Sequence, residues 1–156
     1  MKKITTFLLL LATIGLSAQH TISGTFTPAK DYTWLIAYQL KPGTQVYVAD
    51  TKIEDGKFNL NLPADASPGT YRLVYAVPQE DFNFDVIYSG TEDIELHFNA
   101  QDKVTYTKSE ENIIATKYFL EINALQQQII DFYTASSTNK NELASLYKKL
   151  ATTQAS

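Results

Sequence analysis

The stretch from Thr44 to Leu62 constrains the fold of this chain more than any other part of the sequence. Apolar and polar side chains alternate on both sides of Glu54-Asp55-Gly56-Lys57, and Phe58, Leu60 and Leu62 share one face of the second half. An Asp-Gly pair between alternating runs is typical of a tight turn, because Gly adopts the positive φ that primed turns require. The pattern predicts a β-hairpin whose buried face needs a second layer to cover it.

Similar short runs occur before and after this stretch. They are His20 to Phe26 with a predicted bulge at Gly24, Thr33 to Leu40, Thr70 to Val77, Phe82 to Tyr88, Ile94 to Phe98 and Val104 to Tyr106. The second and third runs are apolar on both faces, which predicts central strands, whereas the last predicts a short edge strand. Seven or eight short strands with regular turns predict a mainly β fold in residues 19–108, either an antiparallel β-sandwich or a half-open barrel.

The apolar pattern changes at Ser109 from the period of a strand to that of a helix. Ser109 is a predicted helix N-cap, and acidic residues follow it in the first turn, where they are favoured. One apolar stripe then runs along the helix and consists of Ile114, Tyr118, Ile122, Leu125, Ile129 and Phe132. A polar break at residues 135–138 precedes a second helix capped by Asn139, with Leu143, Leu146 and Leu150 on one side. Residues 109–156 are therefore predicted to form a C-terminal helical hairpin.

The stripe on the first helix has two interpretations. Its residues either pack as core against the sheet or form a docking surface for a partner domain or a second copy of the chain. In the second case, the interdomain or oligomer contacts are Ile122, Leu125, Ile129 and Phe132. The second helix is still in register at its last residues, so we expect either a protein that continues into a further domain or a frayed tail.

Residues 1–18 have the order of a bacterial secretory signal peptide. Lys2 and Lys3 precede the apolar run from Phe7 to Ile14, and small residues follow before Gln19. The apolar run is too short to span a bilayer, and the chain has no Cys that could carry a lipid anchor. We therefore expect an exported protein, periplasmic or secreted, with no membrane anchor after cleavage.

Composition narrows the possible functions. The 13 Lys and Arg include Lys2 and Lys3, so 11 remain against 17 Asp and Glu, and we expect no nucleic acid partner. The absence of Cys excludes disulfides, thiolate metal sites and thiol redox chemistry within these residues. His20 and His97 are the only histidines, and neither has a second His near it in sequence. No nucleophile, phosphate-binding or dinucleotide-binding motif occurs, so we expect no catalytic, cofactor-binding or metal-binding residues.

Two further groups of side chains have a binding interpretation beside a structural one. The acidic pairs Glu80-Asp81 and Glu92-Asp93 lie in predicted turns, where they are either solvated or part of a calcium site. The aromatic residues of the first strands would suit stacking against sugar rings if they lined an exposed face, although aromatic residues also pack within sheets. The candidates are Tyr32, Trp34, Tyr38 and Tyr47, of which Trp34 and Tyr38 are the predicted ligand contacts.

The order of these segments resembles that of a known family. The segments ISGTF, VYVADTKIEDGKFNLNL, GTYRLVY and IELHFN before long helices are similar to the N-terminal DUF4369-type domain of thioredoxin-like thiol-disulfide oxidoreductases exported by Bacteroidetes. The similarity covers residues 19–133. In that family a helical linker leads to a C-terminal thioredoxin fold whose Cys-x-x-Cys motif performs the redox chemistry, and no position of this chain matches that motif.

The resemblance implies a non-catalytic accessory or scaffolding domain without a cofactor. Such a domain would position or dimerise a downstream thioredoxin-like domain near its client proteins, with a homodimer as one possible form. The residues themselves leave a second hypothesis from a different class, a stand-alone periplasmic module that binds glycan or peptide through Trp34 and Tyr38.

Overall fold

A computed structural model describes residues 19–99 and 103–155, so the predicted signal peptide lies outside the described residues. Its elements are β1 (Thr21–Phe26), β2 (Trp34–Lys41), β3 (Thr44–Lys52), β4 (Lys57–Asn61), β5 (Gly69–Val74), β6 (Asn83–Tyr88), β7 (Ile94–Phe98), β8 (Val104–Lys108), α1 (Glu110–Thr134) and α2 (Lys140–Gln154). The strands form two four-stranded sheets, in the orders β4-β1-β7-β8 and β3-β2-β5-β6. The predicted β-sandwich followed by a helical hairpin is confirmed.

The core lies between the two sheets, where the alternating apolar residues of both layers meet. Leu60 and Ile94 of the first sheet and Leu35 and Leu73 of the second have no exposed surface. Burying each such side chain contributes about 1.5–3 kcal/mol. This two-layer core stabilises a domain that contains no Cys.

The turn at Asp55 and Gly56 is confirmed, but the predicted hairpin across it is wrong. Both residues have positive φ, 51° and 73°, and Glu54 and Lys57 exchange two backbone hydrogen bonds of 2.9 Å. Pairing stops there, because β3 continues in the sheet of β2 while β4 pairs with β1 in the other sheet. The alternation correctly indicated which side chains are buried, and the turn carries the chain from one layer to the other. Strand β3 instead forms a hairpin with β2, through Pro42 and Gly43.

Two other predictions about the first sheet need correction. Strands β1 and β7 run parallel, so the sandwich is not purely antiparallel. Gly24 is not in a bulge but lies in regular register opposite Phe58. A Cβ at Gly24 would lie 2.5 Å from Phe58 Cζ and 2.9 Å from Leu96 Cδ1. The glycine is therefore needed for close packing in the core, and not for a change of strand direction.

Helix α1 begins at the side of the sandwich formed by the edge strands β6 and β8 and contacts both. Its 25 residues correspond to a length of about 37 Å, so most of the helix extends beyond the strands it touches. Helix α2 packs against α1. Thr153 Oγ1 donates to Glu121 Oε1 at 3.3 Å, and the hydroxyls of Tyr133 and Tyr147 lie 3.4 Å apart. These two contacts show that the helices run antiparallel, as predicted.

Candidate functional site

The junction between the sandwich and the helices is built around Asn112, which is 3% exposed. Its Oδ1 accepts a hydrogen bond from the Ile87 backbone N–H at 2.8 Å, and its Nδ2 donates to the Ile87 carbonyl at 2.6 Å. Strand β6 is at the edge of its sheet, and no described strand lies on the side opposite β5, toward which these two backbone groups point. The Asn112 amide therefore replaces a missing strand and holds the start of α1 against the sheet.

Ser109 and Glu92 complete this junction. Ser109 Oγ donates to Glu92 Oε1 at 2.9 Å and accepts from Asn112 Nδ2 at 2.7 Å. The second carboxylate oxygen of Glu92 accepts the backbone N–H of Glu110 at 3.3 Å, at the positive end of the helix dipole. Ser109 has a φ of 99°, which is unfavourable for a residue with a Cβ, so these hydrogen bonds must hold it in place.

Sequence reasoning identified only part of the junction. The N-cap at Ser109 is confirmed, since its Oγ accepts the Asn112 backbone N–H at 3.4 Å. Glu92 was predicted to be solvated or to bind calcium, and it caps the helix instead. Asn112 was not singled out, because its partner Ile87 is 25 residues away and no local pattern connects the two.

The four stripe residues predicted as docking contacts lie inside the helical pair. Ile122, Leu125, Ile129 and Phe132 are 8–9% exposed, and Leu146 of α2 is equally buried. The described strands contacted by α1 lie at its N-terminal end, so these side chains pack helix on helix and do not form the core against a sheet. In this conformation they are covered by α2 and not open to a partner.

A different set of apolar side chains is exposed on the helices. Of the ten large apolar residues exposed among those described, seven lie on α1 or α2, namely Ile113, Ile114, Phe119, Leu120, Ile130, Tyr133 and Tyr147. The side chain of Leu120, for example, is 63% exposed. No helix in the described part of the chain is long and apolar enough to cross a membrane. Ile114 and Phe119 border one groove, and apolar side chains grouped in this way are typical of a site that contacts another protein.

A groove of about 520 Å³ lies between the edge of the sandwich and the end of α2. Helix α1 forms the floor of the groove. Ile87 lines the end next to the sandwich, and Thr153 lines the end next to α2. The residues of α1 that line it are Glu111, Ile114, Ala115, Lys117, Tyr118, Phe119 and Glu121. Ile114 and Tyr118 are the first two members of the predicted stripe. They line an open groove, because the described part of α2 packs against α1 from Glu121 onward.

The predicted ligand contacts Trp34 and Tyr38 lie on the outer face of the second sheet, and both are half-buried. The Tyr38 ring packs edge-on against the exposed Tyr47 ring of β3, with centroids 6.4 Å apart. Tyr32 does not join this row, because its ring packs against the core residue Tyr75 at 4.9 Å. The sheet therefore brings three of the four predicted aromatic residues to one face.

Several ionisable side chains stabilise the sandwich. Asp93 accepts the Thr21 backbone N–H at 2.9 Å and its hydroxyl at 3.2 Å, and these bonds hold the pKa of Asp93 below its usual value. Burial, with a smaller contribution from the Asp85 carboxylate, raises the pKa of Tyr106 to about 12. Arg72 forms a two-point pair with Asp85 at 2.8 and 2.9 Å. Among residues 19–99 and 103–155, no group of three acidic or His side chains could hold a metal ion.

Comparisons with known proteins give no family. No protein-family model matches this sequence, and neither does any curated protein. Among solved structures, a 9R-lipoxygenase from Cyanothece PCC8801 aligns with 64% of this chain and 15% of its own, at 13% identity and a TM-score of 0.32. The chain thus spans less than a sixth of that protein, and a similarity this weak supports no conclusion about function.

Proposed function

We propose that this chain is a non-catalytic accessory domain of an exported thiol-disulfide oxidoreductase-like protein. Its helical extension would hold a thioredoxin-like partner domain or the client proteins of that domain. The observation that supports this proposal best is the concentration of exposed large apolar side chains on α1 and α2. The resemblance of residues 19–133 to the N-terminal domains of such oxidoreductases indicates the kind of partner.

The junction described above suits a scaffold. A domain that positions a partner needs a rigid mount, because a mobile one would not define an orientation. Asn112 joins α1 to strand β6 by two hydrogen bonds, and Glu92 holds the first turn of the helix. The mechanism is therefore placement, which raises the effective concentration of the partner near its clients without any chemistry by this chain.

The first test is the intact mass of the native protein from its host, measured after reduction with and without a thiol-alkylating reagent. A mass well above 17.5 kDa with two alkylated thiols would join this domain to a redox domain in one protein. A mass slightly below 17.5 kDa with no thiol would refute the redox proposal and leave a small exported binding or scaffolding protein.

The second test uses substitutions in the host protein. Leu120→Lys introduces a charge into the exposed apolar surface of α1, and Val46→Lys is the matched control on the exposed edge of the sandwich. We expect Leu120→Lys to weaken the association with a thioredoxin-like domain at least tenfold in calorimetric titration, and Val46→Lys to leave it within twofold. Equal effects of the two variants would contradict docking through the helices.

One observation favours a second candidate function. Trp34, Tyr38 and Tyr47 share an outer face of the second sheet, as in a module that binds glycan or peptide. Trp34 is the only Trp of the chain, so its fluorescence reports on this face directly. Titration with a panel of oligosaccharides and extended peptides should quench or shift the emission if this function is correct, and unchanged emission throughout would exclude it.

A further inference from the structure

We propose that the groove at the start of α1 binds an amphipathic helix with basic flanking residues, supplied by the partner domain. This inference rests on the proposed function and adds the kind of element that the domain recognises. It depends on three observations: the continuity of the α1 stripe, the shape of the groove and the charges at its rim.

The apolar stripe of α1 is continuous, but α2 covers only part of it. From Ile114 to Phe132 the stripe spans about 27 Å, at 1.5 Å per residue. Helix α2 covers the part from Ile122 onward, since Thr153 near its end is bonded to Glu121. The remaining two turns have the same spacing and the same direction as the packed part. The groove is thus the continuation of an existing helix–helix interface, and the element that fits such a surface is another helix.

The residues of the groove match this occupant. Ile114 is 59% exposed and Phe119 is 60% exposed, although both border a concave apolar surface together with Ala115 and Tyr118. Ile87 of the sandwich closes one end of the groove. A helix lying here in the line of α2 would place apolar side chains at i, i+3 or i+4, and i+7 against α1.

The rim of the groove is acidic at the end near the sandwich, where Glu111 lines it. Lys117 lies in the middle of the lining, and Glu121 at the other end also borders a groove that contains Lys148 and Lys149. A second groove of about 390 Å³ adjoins it at Ile114 and Glu111, and adds Glu110. Neither Glu111 nor Glu121 forms an ion pair with any described residue. Lys or Arg beside the apolar positions of a bound helix would complement this charge and would speed association at low salt.

A peptide probe tests this assignment. The probe is a fluorescein-labelled peptide of about 16 residues with Leu at helical i, i+4 and i+7 spacing and Lys at the flanking positions. Two comparison peptides carry Glu in place of Lys, or the same residues in shuffled order. Binding to the chain is measured by fluorescence anisotropy, where we expect a Kd on the order of 100 μM, because two helical turns offer a small interface.

Two substitutions of exposed apolar residues provide matched variants. Ile114→Lys places a charge in the groove, whereas Val46→Lys makes a similar change on β3, outside the lining of the groove. We expect Ile114→Lys to weaken binding of the Lys peptide at least tenfold and Val46→Lys to change it less than twofold. The Glu peptide should bind at least tenfold more weakly than the Lys peptide, and the shuffled peptide should not bind.

Several outcomes would overturn the assignment. They are equal effects of the two variants, equal binding of the shuffled peptide, or no binding of the Lys peptide up to about 1 mM, tenfold above the expected Kd. A concentration-dependent dimer in light scattering that Ile114→Lys abolishes and Val46→Lys does not would make a second copy the occupant. If the peptide fails while Leu120→Lys still disrupts the partner complex, the groove proposal is wrong and the proposed function stands. If the peptide binds as expected and no thioredoxin-like partner is found, the proposed function is wrong and the groove stands.

Discussion

Replacing Asn112 with Ala removes the side chain that joins α1 to strand β6. Three hydrogen bonds are lost, two to the backbone of Ile87 and one to Ser109 Oγ. Each contributes about 0.5–1.5 kcal/mol net, and the Ile87 groups lose their partner at a partly buried position. We expect the free energy of unfolding to fall by about 2–4 kcal/mol.

The measurement is urea unfolding followed by circular dichroism, together with amide hydrogen exchange at Ile87. The Ile87 N–H points away from β5 and is bonded to Asn112, so its exchange should accelerate more than that of amides within the β5–β6 ladder. Asn123→Ala is the matched control, because Asn123 is an exposed Asn on the same helix. We expect it to change the stability by no more than about 0.5 kcal/mol.

A second substitution at this position separates hydrogen bonding from packing. Asn112→Asp keeps the size of the side chain and the oxygen that accepts the Ile87 N–H, but an ionised carboxylate would face the Ile87 carbonyl without a proton to donate. Its pKa should therefore be raised in the folded protein, so the variant should be close to wild type near pH 3 and lose stability as the pH rises. If Asn112→Ala costs no more than Asn123→Ala, or Asn112→Asp shows no pH dependence beyond wild type, the junction does not work as described.

Three further predictions concern the sandwich. Gly24→Ala should cost about 1–3 kcal/mol in urea unfolding, because its Cβ would overlap the Phe58 ring, whereas Ser23→Ala should have little effect. Asp93→Asn should lower the free energy of unfolding by about 1 kcal/mol at pH 7, after allowance for the exposure of the carboxylate. Because folding lowers the pKa of Asp93, this cost should disappear as the pH falls below about 4. A cost that does not change with pH would contradict the hydrogen-bond explanation. Folding raises the pKa of Tyr106 to about 12, so wild type should lose stability between about pH 10 and 12, and Tyr106→Phe should remove that loss in unfolding experiments at each pH.

Much of the secondary structure could be predicted because it is encoded locally. Ile94, Leu96 and Phe98 alternate with polar residues in the sequence and are buried in β7. The N-caps at Ser109 and Asn139 likewise depend on residues within one turn, and both are present. Local signals of this kind identify an element and its buried face without reference to the rest of the fold.

Strand pairing could not be predicted in the same way. The alternation of apolar and polar residues shows which face of a strand is buried, but not which strand lies beside it. Strands β3 and β4 follow each other through an Asp-Gly turn, yet they belong to different sheets. The parallel pairing of β1 with β7 joins segments that are about 70 residues apart, and no pattern within either segment specifies it. The close approach at Gly24 depends on both neighbours of β1, since Phe58 of β4 and Leu96 of β7 lie opposite it, and the sequence of β1 alone does not show this.

The candidate site shows the same division between local and distant information. The stripe of α1 was evident from its spacing, but which part α2 would cover depends on the length and position of α2. Covering Ile122 to Phe132 leaves the start of the stripe open, so the exposed surface is not the part that sequence reasoning chose. Asn112 was overlooked because its polar contacts to the sandwich depend on the position of an edge strand 25 residues away.

The distribution of apolar residues on α1 is the strongest reason to place the function on the helices and not on the sheet. If the stripe were needed only for packing against α2, apolar residues should stop where α2 ends, because exposed Ile and Phe on a helix favour aggregation. They continue for two more turns, to Ile114, and Phe119 lies beside them. The aromatic residues on the sheet need no partner to explain them, since Tyr38 and Tyr47 already pack against each other across neighbouring strands. The exposed start of α1 is thus a surface for which residues 19–99 and 103–155 offer no packing reason.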